Sequence, residues 1–151
     1  MKYRWSALVA VLALGLMPRA GLAQGGTSPG VRRQAAATLG QNYPNPFNPE
    51  TRIDFSVGEA PTCPEGGRQY KVSLRVYNVL AQLVAVPVIQ GGSGSVAGGQ
   101  PLENVLLPCG QYTAYWNGKY RNTDQEVASG IYMYAIEVDG TRLIRKAIVM
   151  K

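Results

Sequence analysis

From residue 52 onward apolar residues recur at every second position, and no segment repeats them at the helical spacing. Ile53, Phe55 and Val57 alternate with Arg52, Asp54 and Ser56, while Tyr70, Val72, Leu74 and Val76 alternate with Lys71, Ser73, Arg75 and Tyr77. Successive side chains of a strand point to opposite faces. Each run therefore offers one face to a core and one to water, as an antiparallel sheet requires. The run 83–89 is interrupted by Pro87, which predicts an edge strand or a bulge. Residues 102–107 are a further candidate strand, and 111–116 alternate again before stopping at Asn117-Gly118. Residues 131–138 and 141–150 flank Asp139-Gly140, a two-residue turn of the kind that closes hairpins. The 18 Gly and 10 Pro among 151 residues supply turns between these runs. About seven strands in roughly 100 residues predict an all-β, immunoglobulin-like antiparallel β-sandwich.

The first residues belong to a different category. A basic start, Met1-Lys2-Tyr3-Arg4-Trp5, precedes an apolar run over 7–17, and Gly21-Leu22-Ala23 places small residues before Gln24. This is the three-part pattern of a secretory signal peptide over 1–23. The run is too short for a membrane anchor, which needs about 20 apolar residues, so no transmembrane segment is expected once the signal is removed. Removing Lys2, Arg4 and Arg19 leaves 12 basic against 9 acidic residues, so the formal charge falls from +6 to +3. That is too modest to argue for nucleic acid as a partner. Residues 24–38 are small and polar without an apolar period, and read as a flexible leader.

Several chemistries are hard to assemble from this sequence. His is absent, which removes Ser-His-Asp and Cys-His nucleophiles and His-ligated metals. No P-loop, G-x-S-x-G, H-E-x-x-H or C-x-x-C occurs. The expectation is a non-enzymatic protein with no cofactor and no metal. Asp124, Glu126 and Asp139 could together hold calcium through their oxygens, but without EF-hand spacing solvated loop carboxylates are the favoured reading. Outside the cytoplasm the pair Cys63 and Cys109 reads as a disulfide, a staple worth roughly 4 kcal/mol on the chain-entropy estimate.

Residues 42–51 carry the densest local constraint. In Tyr43-Pro44-Asn45-Pro46-Phe47-Asn48-Pro49 three prolines remove backbone donors and fix φ, so the stretch cannot be a central strand or a helix. It should lie extended as a strap along the domain, with Tyr43 and Phe47 as candidate anchors into the core. Trp116 is expected in the core. Tyr112, Tyr115, Tyr132 and Tyr134 fall on late strands, where those of opposite phase must face opposite ways and some could form an exposed aromatic face for a partner or glycan.

These residues resemble a known family. Leu39-Gly40-Gln41-Asn42-Tyr43-Pro44-Asn45-Pro46-Phe47-Asn48-Pro49-Glu50-Thr51-Arg52-Ile53 resembles the opening of the type A C-terminal sorting domain of bacterial type IX secretion cargo. Val76-Tyr77-Asn78-Val79-Leu80-Ala81-Gln82-Leu83-Val84 resembles its tyrosine-asparagine strand and turn, with Ala81 where the family usually has Gly. Tyr115-Trp116-Asn117-Gly118 resembles its Trp-Asp-Gly segment, Ser129-Gly130-Ile131-Tyr132 its Ser-Gly-x-Tyr strand, and Arg145-Lys146 through Lys151 its basic closing strand. The Gly usual before that Ser-Gly strand is missing from 122–126. The fold implied is that of the immunoglobulin-like, FlgD-like domain of the flagellar hook-capping protein. The likeness covers 39–151, so the expected organisation is a signal peptide at 1–23, a leader at 24–38 and a sorting domain at 39–151, with its strap at 42–51 and its sandwich at 52–151. The family's domain usually trails a large cargo, whereas only the leader stands upstream here.

What the resemblance implies is export through the periplasm to the cell surface or medium. The strap residues Tyr43, Pro44, Asn45, Pro46, Phe47, Asn48 and Pro49 and the cations Arg145, Lys146 and Lys151 would be read by the protein secretion machinery. An anionic surface polysaccharide is a further partner that the basic strand, with Arg142, would suit. A purely structural role stands beside each: the strap as a cover over a sheet edge, the cations as charges that keep an edge strand from aggregating. A small structural or adhesive envelope subunit, in which the sandwich is itself the product, is the alternative from another class.

Overall fold

A computed structural model describes residues 37–64, 66–91 and 97–151. The predicted signal peptide, and the leader up to residue 36, lie outside the described residues. Among these, nine strands form two antiparallel sheets: β1 (Ala37–Leu39), β2 (Thr51–Val57), β3 (Gln69–Tyr77), β4 (Leu83–Ala85), β5 (Val88–Ile89), β6 (Val105–Pro108), β7 (Gly110–Trp116), β8 (Gly130–Val138) and β9 (Thr141–Val149). One sheet has the order β1-β2-β7-β5; the other runs β4-β3-β8-β9, with β6 pairing the first half of β3. The chain is an all-β sandwich, as its alternation predicts.

The inward phase of each strand supplies one core. Ile53, Phe55 and Val57 from β2, Ala114 and Trp116 from β7, Val72, Leu74 and Val76 from β3, and Tyr134, Ile136 and Val138 from β8 are all buried. The Asp139-Gly140 turn has both φ values positive, 47° and 82°, the mirror-image turn whose twist matches that of a hairpin. β8 and β9 consequently pair without slippage from Val138↔Thr141 to Gly130↔Val149.

Two boundaries differ from expectation. β1 begins at Ala37, so the last two residues of the predicted leader pair with Val57 and Ser56 of β2; three residues are too short for alternation to reveal a strand. The run 83–89 is two strands, one in each sheet. Pro87 sits in the crossing between them, where its missing donor costs nothing and its carbonyl accepts the Leu102 N–H at 2.9 Å. Leu102, expected to start a strand, plugs the core from a loop instead and is fully buried. At the far end of β2, Cys63 and Cys109 are bonded, with Cα atoms 5.6 Å apart.

Candidate functional site

The strap crosses from one sheet to the other over the seam between β1 and β9. Its first half pairs with β2: Tyr43 and Arg52 exchange both backbone hydrogen bonds at 2.9 Å. Its second half pairs with β9, where the Phe47 N–H donates to the Ile148 carbonyl at 3.0 Å and the Met150 N–H donates to the Phe47 carbonyl at 3.1 Å. Asn45 Oδ1 accepts the Ile148 N–H at 2.9 Å. Arg145 reaches across the same seam, its Nε donating to the Leu39 carbonyl.

A buried polar knot fixes the entry to the strap. Tyr134, inside the sandwich, accepts the Asn42 N–H at 2.9 Å and donates its hydroxyl proton to the Gly40 carbonyl at 2.8 Å. Asn42 Nδ2 donates to Thr51 Oγ1 and to the Pro44 carbonyl, which also accepts the Thr51 hydroxyl. Burial of the Tyr134 phenol pushes its pKa up, since desolvation disfavours the phenolate. Asn42, Thr51 and Tyr134 are all at most 2 % exposed. Every buried polar atom here has a partner, so deleting one member strands the rest.

Aromatic packing fixes the exit. Phe47 stands edge-on to Trp116, 5.1 Å between ring centroids, and Trp116 stands edge-on to Tyr132 at 5.7 Å. Gly118 follows at φ +69°, and a Cβ there would fall 1.9 Å from the Pro49 carbonyl oxygen. The glycine is therefore required by the strap itself. Ser129 Oγ accepts the Lys151 N–H at 3.0 Å, and Lys151 Nζ donates to Glu126 Oε2 at 2.7 Å, holding that carboxyl below its ordinary range. Four stretches far apart in sequence (the strap, 116–118, 129–132 and 145–151) thus meet at one end of the molecule.

The individual predictions fare differently. Phe47 is a core anchor, 2 % exposed, but Tyr43 is not: it is 80 % exposed. Paired residues on neighbouring strands share a face, and Tyr43 shares that of the exposed Arg52. The exposed aromatic face is not formed, because Tyr112, Tyr132 and Tyr134 share the inward phase with Trp116 and are buried. Of the four, Tyr115 alone faces outward, its hydroxyl 2.5 Å from Glu50 Oε2. Pro44, Pro46, Asn48 and Pro49 are exposed along the strap, as are Arg145, Lys146 and Lys151 on or after β9.

The three carboxylates considered for calcium are turned to the chain's own donors. Asp124 pairs with Lys119, Glu126 with Lys151, and Asp139 takes the Lys71 N–H and Arg68. Among the described residues no group of three His, Cys, Asp or Glu could hold a metal ion, and no helix is long and apolar enough to cross a membrane. Sequence assigned no separate role to Asn42, Thr51 or Gly118, although all three lie inside the motifs quoted above; only the Gly, in the Asn117-Gly118 pair just past the end of β7, carried a local turn signal. A separate groove of about 630 Å³ lies beyond the opposite seam, between Ala85, Pro101, Lys119 and Arg121. No family model, no curated protein and no solved structure matches the chain.

Proposed function

We propose that this is an exported, non-enzymatic recognition domain of the type IX sorting kind, which directs its own translocation and its attachment at, or release from, the cell surface. The reading rests on the signal-peptide pattern and the motif resemblance, and one observation carries it. Four of the five motifs that make up the resemblance, all but Val76–Val84, are scattered over more than 100 positions and still meet at one end of the molecule. There the exposed prolines of the strap lie beside the cations of β9. Export machinery, or an anionic polysaccharide, would read that surface only in the folded chain.

The test is cell fractionation in a bacterium that has type IX secretion. Chain lacking residues 143–151 should stay in the periplasm, and so should chain carrying Arg145→Ala with Lys146→Ala, which leaves β9 in place. Folded variant protein arriving normally at the surface would overturn the sorting reading.

A second reading, a structural or adhesive envelope subunit, is favoured by the outer face of the β3-β8-β9 sheet. Ile131, Met133 and Ile144 are 50 %, 37 % and 54 % exposed there, an apolar face available to a neighbour. Abundant chain with the mass of 24–151 at the surface, unaffected by loss of type IX secretion, would support it.

A further inference from the structure

The edge of β9 is closed along one half only. The hairpin sets the hydrogen-bonding phase: Val138 and Thr141 flank a two-residue turn, so odd-numbered residues of β9 bond to β8 and even-numbered ones face away. Of the outward groups, the Ile148 N–H and C=O and the Met150 N–H are taken by the strap, and the Lys146 carbonyl takes Gln41 Nε2 at 2.9 Å. The N–H and C=O of Arg142 and Ile144 and the N–H of Lys146 have no partner among the described residues. Other edges are shorter or covered. β5 is lined by Gly99 and Gln100, the outward carbonyl of β4 takes the Arg121 N–H, and the β1 carbonyl at Leu39 takes Arg145. β6 runs four residues and ends in Pro108.

We infer that the open half of β9 is a strand-addition site for an extended acidic segment of a partner protein. Strand addition satisfies edge donors and acceptors, while alternate side chains set specificity. The outer-face residues along the open edge are Arg142, Ile144 and Lys146. Lys146 lies in no ion pair among the described residues, and Arg142 rests over the Tyr77 ring at 5.4 Å, its neighbour Glu137 being turned to Arg75. An incoming strand therefore meets positive, apolar and positive positions in turn, and an acidic-x-apolar-x-acidic segment complements them. A second copy of this chain, joined edge to edge, would instead oppose Arg142 and Lys146 to like charges. The inference deepens the recognition role proposed for β9 and rests on that role for its biological partner, but the binding itself is read on purified chain.

The probe is a fluorescein-labelled peptide, TETVTET, which in antiparallel addition sets Val opposite Ile144 as a hydrogen-bonded pair and a Glu opposite each of Arg142 and Lys146, titrated with the full chain and followed by anisotropy. Saturable binding that weakens with salt is expected. Methylating the backbone nitrogen of the central Val, which removes one edge hydrogen bond and no charge, should weaken it about tenfold. TKTVTKT should not bind, and Lys146→Glu should weaken TETVTET by a similar factor. Ile144→Pro should block addition while sparing the β8 ladder, because the lost N–H faces outward; the methylated peptide supplies the same test on unaltered chain. Absence of TETVTET binding, or equal binding of the methylated peptide, would overturn antiparallel strand addition at Ile144 and leave the sorting reading to the fractionation result. Self-association competing with the peptide would overturn it in favour of a second copy.

Discussion

The β2–β7 pair is fastened at its two ends in opposite ways. At the Thr51↔Trp116 end the strap, the Asn42–Thr51–Tyr134 knot and the Phe47–Trp116–Tyr132 stack hold the sheets together without a covalent bond. At the Val57↔Gly110 end the Cys63–Cys109 bond ties the loop after β2 to the turn before β7. There Phe55 stacks on Tyr112 at 5.5 Å, and the Tyr112 hydroxyl donates to the Pro108 carbonyl. The covalent end is secured by two residues whatever the remainder does. The strap end exists only when β2, β7, β8 and β9 are all in place, so it reports on the whole fold. One end is tolerant of sequence and sensitive to redox; the other is the reverse.

The largest expected effect breaks the strap end. Phe47→Ala empties a fully enclosed site and should cost about 3–5 kcal/mol in urea unfolding. A cost below 1 kcal/mol would mean the strap is not anchored there. Next, Cys63→Ser with Cys109→Ser should cost about 2–4 kcal/mol, matched by reductant on the unaltered chain. Reductant should leave the penalty of Phe47→Ala unchanged, since distant sites add; strong coupling would show that the two ends are not independent.

Tyr134→Phe sharpens the comparison within the knot. It strands the Asn42 N–H and the Gly40 carbonyl and should cost about 1–3 kcal/mol. The same variant has a signature in pH. Burial raises the Tyr134 pKa above the ordinary 10.0, so the neutral phenol stabilises the fold fully below pH 10 and that contribution is lost as pH rises through the folded value. Tyr132 and Tyr112 are raised by the same cause, so alkaline destabilisation should persist in Tyr134→Phe with a shallower slope. A slope identical to that of the unaltered chain would remove Tyr134 from the account. The smallest effect lies away from both ends. Ala81 is held at φ 58°, a region that costs an L residue about 1–2 kcal/mol, so Ala81→Gly should raise the melting temperature slightly and leave strap and disulfide variants unaffected.

Alternation made the sandwich legible because each strand longer than five residues has one face against the core. The shortest strands escaped it: three residues at β1 and two at β5 carry no period. The strap was legible as irregular, since three prolines exclude other states, but which aromatic entered the core was not. Tyr43 and Phe47 are both aromatic and both neighbour proline. The choice is made by backbone pairing, with Arg52 for one and β9 for the other, and the second pairing lies about 100 residues away. Asn42 escaped for the same reason, its buried partner Tyr134 lying 92 positions on.

That separation turns the strap into a gauge of chain length. Its seat is assembled from Tyr134, Arg145, Ile148 and Met150, which follow the strap by about 90 positions or more and are therefore made well after it. Until they arrive, Phe47 and Asn42 have nowhere to go, and contacts this far apart in sequence form late and slowly. A chain stopped before β9 would keep much of its first sheet and its disulfide, yet leave the proline stretch unseated. The strap would then separate chains that have reached Met150 from those that have not, a distinction the covalent end cannot make.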